Sequence, residues 1–273
     1  MPELFTGDRF LYDIQAGRPY RSAGAEEAQG ARSEALLHIV PKADAPLIVF
    51  CRAIRKEWTI YSDHWRGLFN GEAHVLMLED FSRRFYTAGV HSLGSDFAAN
   101  IVWIRKLAKA LGATTVLTCG SSAGGTGALM YGSALKARKM LALSPITSFN
   151  TAFYEGDPLS SPDSQRIKTR LLRLPKVLPK NNLFDARLAL SDLGPGGQVH
   201  VHYPSAMHWD TKWALHVQGL KGVSLFAHGS ATKHNLLDEQ AKNTFLDAEI
   251  SDFLLAQDDG SAKTAAERES ALA

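Results

Sequence analysis

Cysteine is scarce: two occur in 273 residues, and both, Cys51 and Cys119, close apolar runs instead of standing in polar loops. That excludes a disulfide framework and a cysteine-based metal module. The thiols are expected to act as small buried hydrophobes in a reducing compartment, with a single bridge between neighbouring strand ends as the alternative. Long apolar runs are missing too, and Met1-Pro2-Glu3-Leu4-Phe5 has no basic segment leading into an apolar one. No integral membrane segment is expected, and a soluble cytoplasmic protein is the default. Charge of one sign is also lacking, with 30 Lys and Arg against 28 Asp and Glu and a formal net charge of +2. Nothing in that balance calls for nucleic acid or an anionic membrane as partner.

Two nucleotide signatures are absent in the same stretch. Gly120 to Thr126 has glycine spacing reminiscent of a phosphate loop, but Thr126 stands where its lysine would be. A dinucleotide fingerprint would need a different glycine triplet and an acid at the end of the next strand, which instead ends in Ser144-Pro145. His200 and His202 share one face of a strand pattern. No third ligand lies nearby in the sequence, so neither a metal nor a cofactor is expected.

What is present is a succession of buried strands and helices. Apolar runs fall at Ala35–Val40, Pro46–Cys51, Ala73–Asp80, Thr114–Cys119, Lys139–Ser144, Val199–Tyr203 and Val223–Ala227. A shorter alternating run covers Asp8–Ile14, followed to Arg32 by a stretch that reads as an exposed loop. Helical spacing marks 65–69, 96–111 with Gly112 as its stop, the stretch after Gly124, 183–193, 213–217 and 236–254. The alternation predicts an α/β fold with a mostly parallel central sheet flanked by helices. Residues 1–257 read as one domain and 258–273 as a flexible tail. Residues 146–182, with prolines at 158, 162, 175 and 179, read as a small cap inserted over the sheet. Six cations and no acid lie between Arg166 and Lys180, which suits steering of an anionic substrate or a solvated face.

The sharpest motif is Gly120-Ser121-Ser122-Ala123-Gly124, between the Thr114 strand and a small-residue helix. The G-x-S-x-G spacing holds a serine on a strained strand-to-helix turn with its hydroxyl beyond the sheet, which makes Ser122 the candidate nucleophile. A serine hydroxyl needs a base to take its proton and an acid to orient that base. Downstream, Asp210 follows a strand, and His234 follows the last strand; Asp192 and His228 are the competing acid and base. The loop after Cys51 and the loop Asp80–Gly89 leave the carboxyl ends of central strands, where such sheets bind ligands. Arg52, Arg83 and Tyr86 are therefore candidate substrate contacts.

With this elbow and this order of elements from about residue 35 to 255, the chain resembles the α/β-hydrolases. The resemblance implies a serine hydrolase that cleaves an ester, thioester or amide through an acyl-enzyme on Ser122. Asp210 would be the acid and His234 the general base, with an acyltransferase or a non-catalytic binding protein as alternatives. It further implies an oxyanion hole of two backbone amides. The Ala123 amide follows from the elbow itself; Ala53 is the second donor by resemblance, because the expected His-Gly after the third strand is replaced by Cys51-Arg52-Ala53-Ile54. The substrate implied is a small molecule or an acylated carbohydrate, anionic if the basic segments face it.

Overall fold

A computed structural model describes residues 34–53, 69, 71–154, 169, 184–229, 231, 233–234, 236 and 247–256, together with the backbone of 10–13 and 18–20. Most of the expected cap, the tail, and most of the helices expected at 65–69 and 236–254 lie outside these residues.

Among the described residues nine strands form one sheet in the order β2-β1-β3-β5-β4-β6-β7-β8-β9. They are β1 (Phe10–Asp13), β2 (Arg18–Tyr20), β3 (Ala35–Ile39), β4 (Leu47–Cys51), β5 (His74–Leu78), β6 (Val116–Ser121), β7 (Lys139–Leu143), β8 (Gln198–Pro204) and β9 (Val223–His228). From β5 to β9 all neighbours are parallel, whereas β3 pairs antiparallel with β5 and β1 antiparallel with both β2 and β3. The sheet is thus mostly parallel, with an antiparallel ribbon at one edge. β2 occupies a stretch read as loop from sequence. With three residues and a central proline it carries almost no strand signal, and an edge is where a sheet tolerates proline.

Parallel strands covered on both faces should be apolar throughout rather than alternating. Every residue of β4 is buried. Leu47, Val49 and Cys51 face one cluster with Ile104 and Tyr131, while Ile48 and Phe50 face another with Ile250 and Phe253. The first face is covered by α1 (Phe97–Leu111) and α2 (Ala123–Leu135). Helix α1 starts where the Asp96 carboxylate accepts the Ala99 amide and stops at Gly112 in the left-handed region. Two shorter helices follow, α3 (Ala186–Leu190) and α4 (His208–His216). Helix α4 begins five residues before the expected Trp213, because Trp209 and Trp213, four apart, both bury on its inner face. Cys51 and Cys119 lie on adjacent strands, buried and unbridged, and burial raises both thiols well above their ordinary range.

Candidate active site

The turn between β6 and α2 has the strain its motif predicts. Ser122 has φ 56° and ψ −119°, a conformation that a residue with a Cβ occupies only where its surroundings impose it. They do so from three sides. The Ser122 amide donates to Leu143 O of β7 at 2.8 Å, and the Ser122 carbonyl accepts the Thr126 amide of α2. On the remaining side backbone meets backbone: a Cβ on Gly120 would stand 2.3 Å from Gly124 O, and one on Gly124 would stand 2.1 Å from Cys51 O. Glycine at both places lets strand, helix and the end of β4 converge.

Ser122 Oγ lies 2.8 Å from His234 Nε2, and His234 Nδ1 lies 2.7 Å from Asp210 Oδ1. The three side chains come from three separate strand exits, after β6, β8 and β9. Asp210 is 2% exposed and sits in the first turn of α4, where the positive end of the helix dipole favours a carboxylate. Trp213, one turn on, meets the imidazole of His234 edge to face at 5.9 Å. The ring is therefore oriented by a carboxylate and an indole, with Nε2 left to take a proton from Ser122 Oγ.

The competing residues are engaged elsewhere. Asp192 is exposed and ion-paired with Lys136 at 2.6 Å. His228 Nε2 lies 3.1 Å from His202 Nδ1; burial and the His202 charge push its pKa down to about 4. The Ala123 amide belongs to the first turn of α2, where amides have no acceptor within the helix and the dipole favours an anion. Ala53 is half-buried at the end of the segment that Gly124 touches, since Gly124 also approaches Arg52 C.

The three expected substrate contacts differ in placement. Arg83 is exposed, in the left-handed region at φ 55°. Arg52 is 8% exposed and forms a 2.8 Å ion pair with buried Glu79. Tyr86 is fully buried, and its hydroxyl lies 2.7 Å from Arg52 O and 2.8 Å from Leu78 O, so its one proton serves either carbonyl. It is a strut under the β4 and β5 exits, not a wall of the site. The doubly basic, aromatic composition of its loop suggested the wall; the buried Asp80 carboxylate, which accepts the Tyr86 amide at 2.9 Å, turns the ring inward.

On the sheet face opposite α2, the two histidines of β8 gain a third group that sequence distance hid, Glu249. Glu249 Oε2 lies 3.3 Å from His202 Nε2 and 3.8 Å from His200 Nδ1. Burial acts to raise its pKa, but the two imidazoles outweigh that and hold it well below the usual carboxylate range.

No sequence family and no curated protein matches the chain. Solved structures do. Acetyl xylan esterase 1 from Thermoanaerobacterium sp. superposes with a TM-score of 0.53 at 13% identity, over 81% of this chain and 78% of that one. Est1E from Butyrivibrio proteoclasticus gives 0.53 at 12% identity, over 81% and 93%. The capsule O-acetyltransferase of Neisseria meningitidis serogroup A gives 0.51 at 12%, over 82% and 92%. The chain has the α/β-hydrolase fold. Among the described residues no helix is long and apolar enough to cross a membrane.

Proposed function

We propose that the protein is a serine hydrolase of carboxylic esters, with Ser122 as nucleophile, His234 as general base and acid, and Asp210 orienting it. The reading rests on the two consecutive hydrogen bonds from Ser122 through His234 to Asp210. In the first half-reaction Ser122 Oγ attacks the ester carbonyl carbon as its proton passes to His234 Nε2. The carbonyl oxygen takes up the negative charge between the amides of Ala123 and Ala53. Collapse of the tetrahedral intermediate expels the alcohol, which receives the proton from His234, and leaves the acyl group on Ser122. Water then attacks the acyl-enzyme with its proton going to His234, and the acid departs with Ser122 restored.

Acyl transfer differs only in the second nucleophile: a sugar hydroxyl in place of water gives a new ester. Acylated carbohydrate is the substrate class we favour, because an acetyl xylan esterase and a capsule O-acetyltransferase are both among the structures of this fold that superpose. The basic run from Arg166 to Lys180 supports an anionic carbohydrate.

A fluorophosphonate probe tests the nucleophile directly. Labelling of the wild type and loss of labelling in Ser122→Ala are expected; equal labelling of both would refute the assignment. Release of acetate from acetylated xylan-type and uronic-acid oligosaccharides, with and without a second sugar as acceptor, separates hydrolysis from transfer by whether the acetyl group ends on water or sugar.

A further inference from the structure

On the sheet face opposite α2, three donor atoms converge on one point. His200 Nδ1, His202 Nε2 and Glu249 Oε2 all lie within 4.8 Å of one another, with the carboxylate oxygen 3.3 Å from one nitrogen and 3.8 Å from the other. We propose that this trio is a structural site for a divalent cation of the zinc class, fastening the C-terminal segment to β8. The proposal stands apart from the chemistry at Ser122.

The spacing is the first argument. Zinc bonds of about 2.0–2.2 Å to nitrogen and oxygen, arranged tetrahedrally, put ligand atoms about 3.3–3.6 Å apart. The carboxylate oxygen of Glu249 already stands at that distance from His202 Nε2, and its 3.8 Å from His200 Nδ1 exceeds it by a few tenths of an ångström. Two imidazoles and one carboxylate form a ligand set common at zinc, with a water completing the tetrahedron.

The second argument is orientation. His200 lies flat on Phe253, with ring centroids 3.5 Å apart and 12° between planes, and His202 lies flat on Phe226 at 4.5 Å and 9°. Each imidazole plane is held against an aromatic face. Behind His202, His228 Nε2 lies 3.1 Å from Nδ1. When His202 donates its Nδ1 proton to that nitrogen, the lone pair on Nε2 faces Glu249, the tautomer a metal requires. A histidine ligand normally has such an acceptor behind it. The His202 side chain is 1% exposed and that of Glu249 6%, while His200 at 12% gives an ion its entry.

The position gives the site its consequence. His228 ends β9 and Glu249 caps the Ile250–Leu254 turn, so in sequence they bracket the segment that carries His234. An ion on Glu249 and β8 would tie down the far end of that segment.

The test uses the full chain. Protein is incubated with Zn²⁺, desalted, and analysed for metal by mass spectrometry and for thermal unfolding. Wild type and His234→Ala should each retain about one zinc per chain, and Glu249→Gln should retain little. Zinc at about a hundred times its Kd should raise the Tm of wild type and His234→Ala by roughly 5–10 °C and leave Glu249→Gln unmoved. Should Glu249→Gln fail to fold, His200→Ala, at the most exposed of the three positions, replaces it. No retained zinc in the wild type, or full retention in the Glu249→Gln or His200→Ala variant, overturns the proposal. Loss of zinc in His234→Ala overturns it as well, since the ion would then belong to the Asp210–His234 pair.

Discussion

Replacing Gly124 by alanine adds one methyl group at the point where helix α2 meets the end of β4. The new carbon would stand 2.1 Å from Cys51 O, 2.8 Å from Cys51 C and 2.9 Å from Arg52 C. Ordinary contact requires a retreat of roughly 1 Å or more. Every obstructing atom is backbone, and the strand cannot yield easily. Cys51 is in register with Leu78 on one side and Gly120 on the other. Overpacking of this kind costs about 1–3 kcal/mol, or about 2–4 °C of Tm per kcal/mol in a domain of this size. The methyl also displaces Ala53, one residue beyond the collision. If the Ala53 amide is an oxyanion donor, its misplacement forfeits up to about 3 kcal/mol of transition-state stabilisation, a fall in kcat of up to about 150-fold. Urea unfolding and kcat on p-nitrophenyl acetate measure the two effects separately. Gly112→Ala is the control: φ is +67° but nothing lies within 4 Å of the added carbon, so only left-handed strain of about 1 kcal/mol is expected, with kcat unchanged. Wild-type stability and kcat in Gly124→Ala would refute the reasoning.

Ser122→Ala should lower kcat by about 10⁴-fold or more, whereas Ser121→Ala, one residue before the apex and 3% exposed, should stay within about threefold; comparable losses would show that the apex has been misidentified. Asp210→Asn should cost about 10⁴-fold in kcat by imposing the wrong imidazole tautomer, with the Tm nearly unchanged; a KM effect alone would contradict the role given to Asp210. Tyr86→Phe deprives two buried carbonyls of a shared donor and should cost about 1–2 kcal/mol in urea unfolding with KM unmoved, while a rise in KM would return Tyr86 to the substrate wall. His74, whose Nδ1 accepts the Val40 amide, is held below its usual pKa by burial. Because its folded pKa is the lower one, the stability it supplies is complete above about pH 6.5 and falls as acid is added. His74→Asn should therefore lose less stability between pH 7.5 and pH 5 than the wild type, and equal losses would count against it.

Much of the fold can be read from residues whose signal is local. Helix α1 announces both ends, through Asp96 and Gly112, and the short apolar runs of β4 and of β7 from Met140, with Pro145 close behind the second, suit strands covered on two faces. The elbow is legible because its two glycines answer collisions between segments that the motif itself brings together. What escaped has no local signal. The antiparallel pairing of β3 with β5 depends on which strands become neighbours, not on the composition of either. Tyr86 sits in a loop that reads as polar, yet Asp80, itself buried, draws it inward. Glu249 is one acid in an acid-bearing helical pattern until the fold sets it beside two histidines of a distant strand. The start of α4 had a usable sign in the four-residue spacing of Trp209 and Trp213.

The strain at Ser122 bears on the order in which the molecule becomes reactive. Its backbone is held from outside by the Leu143 carbonyl of β7, a strand that follows it in the chain, and its imidazole arrives from beyond β9. A chain emerging from synthesis, or one cut short after α2, carries the complete pentapeptide but neither the Leu143 carbonyl that restrains its turn nor the imidazole proposed as its base. On the proposed assignment, reactivity is a property of the finished sheet, and assembly acts as a safety catch on Ser122.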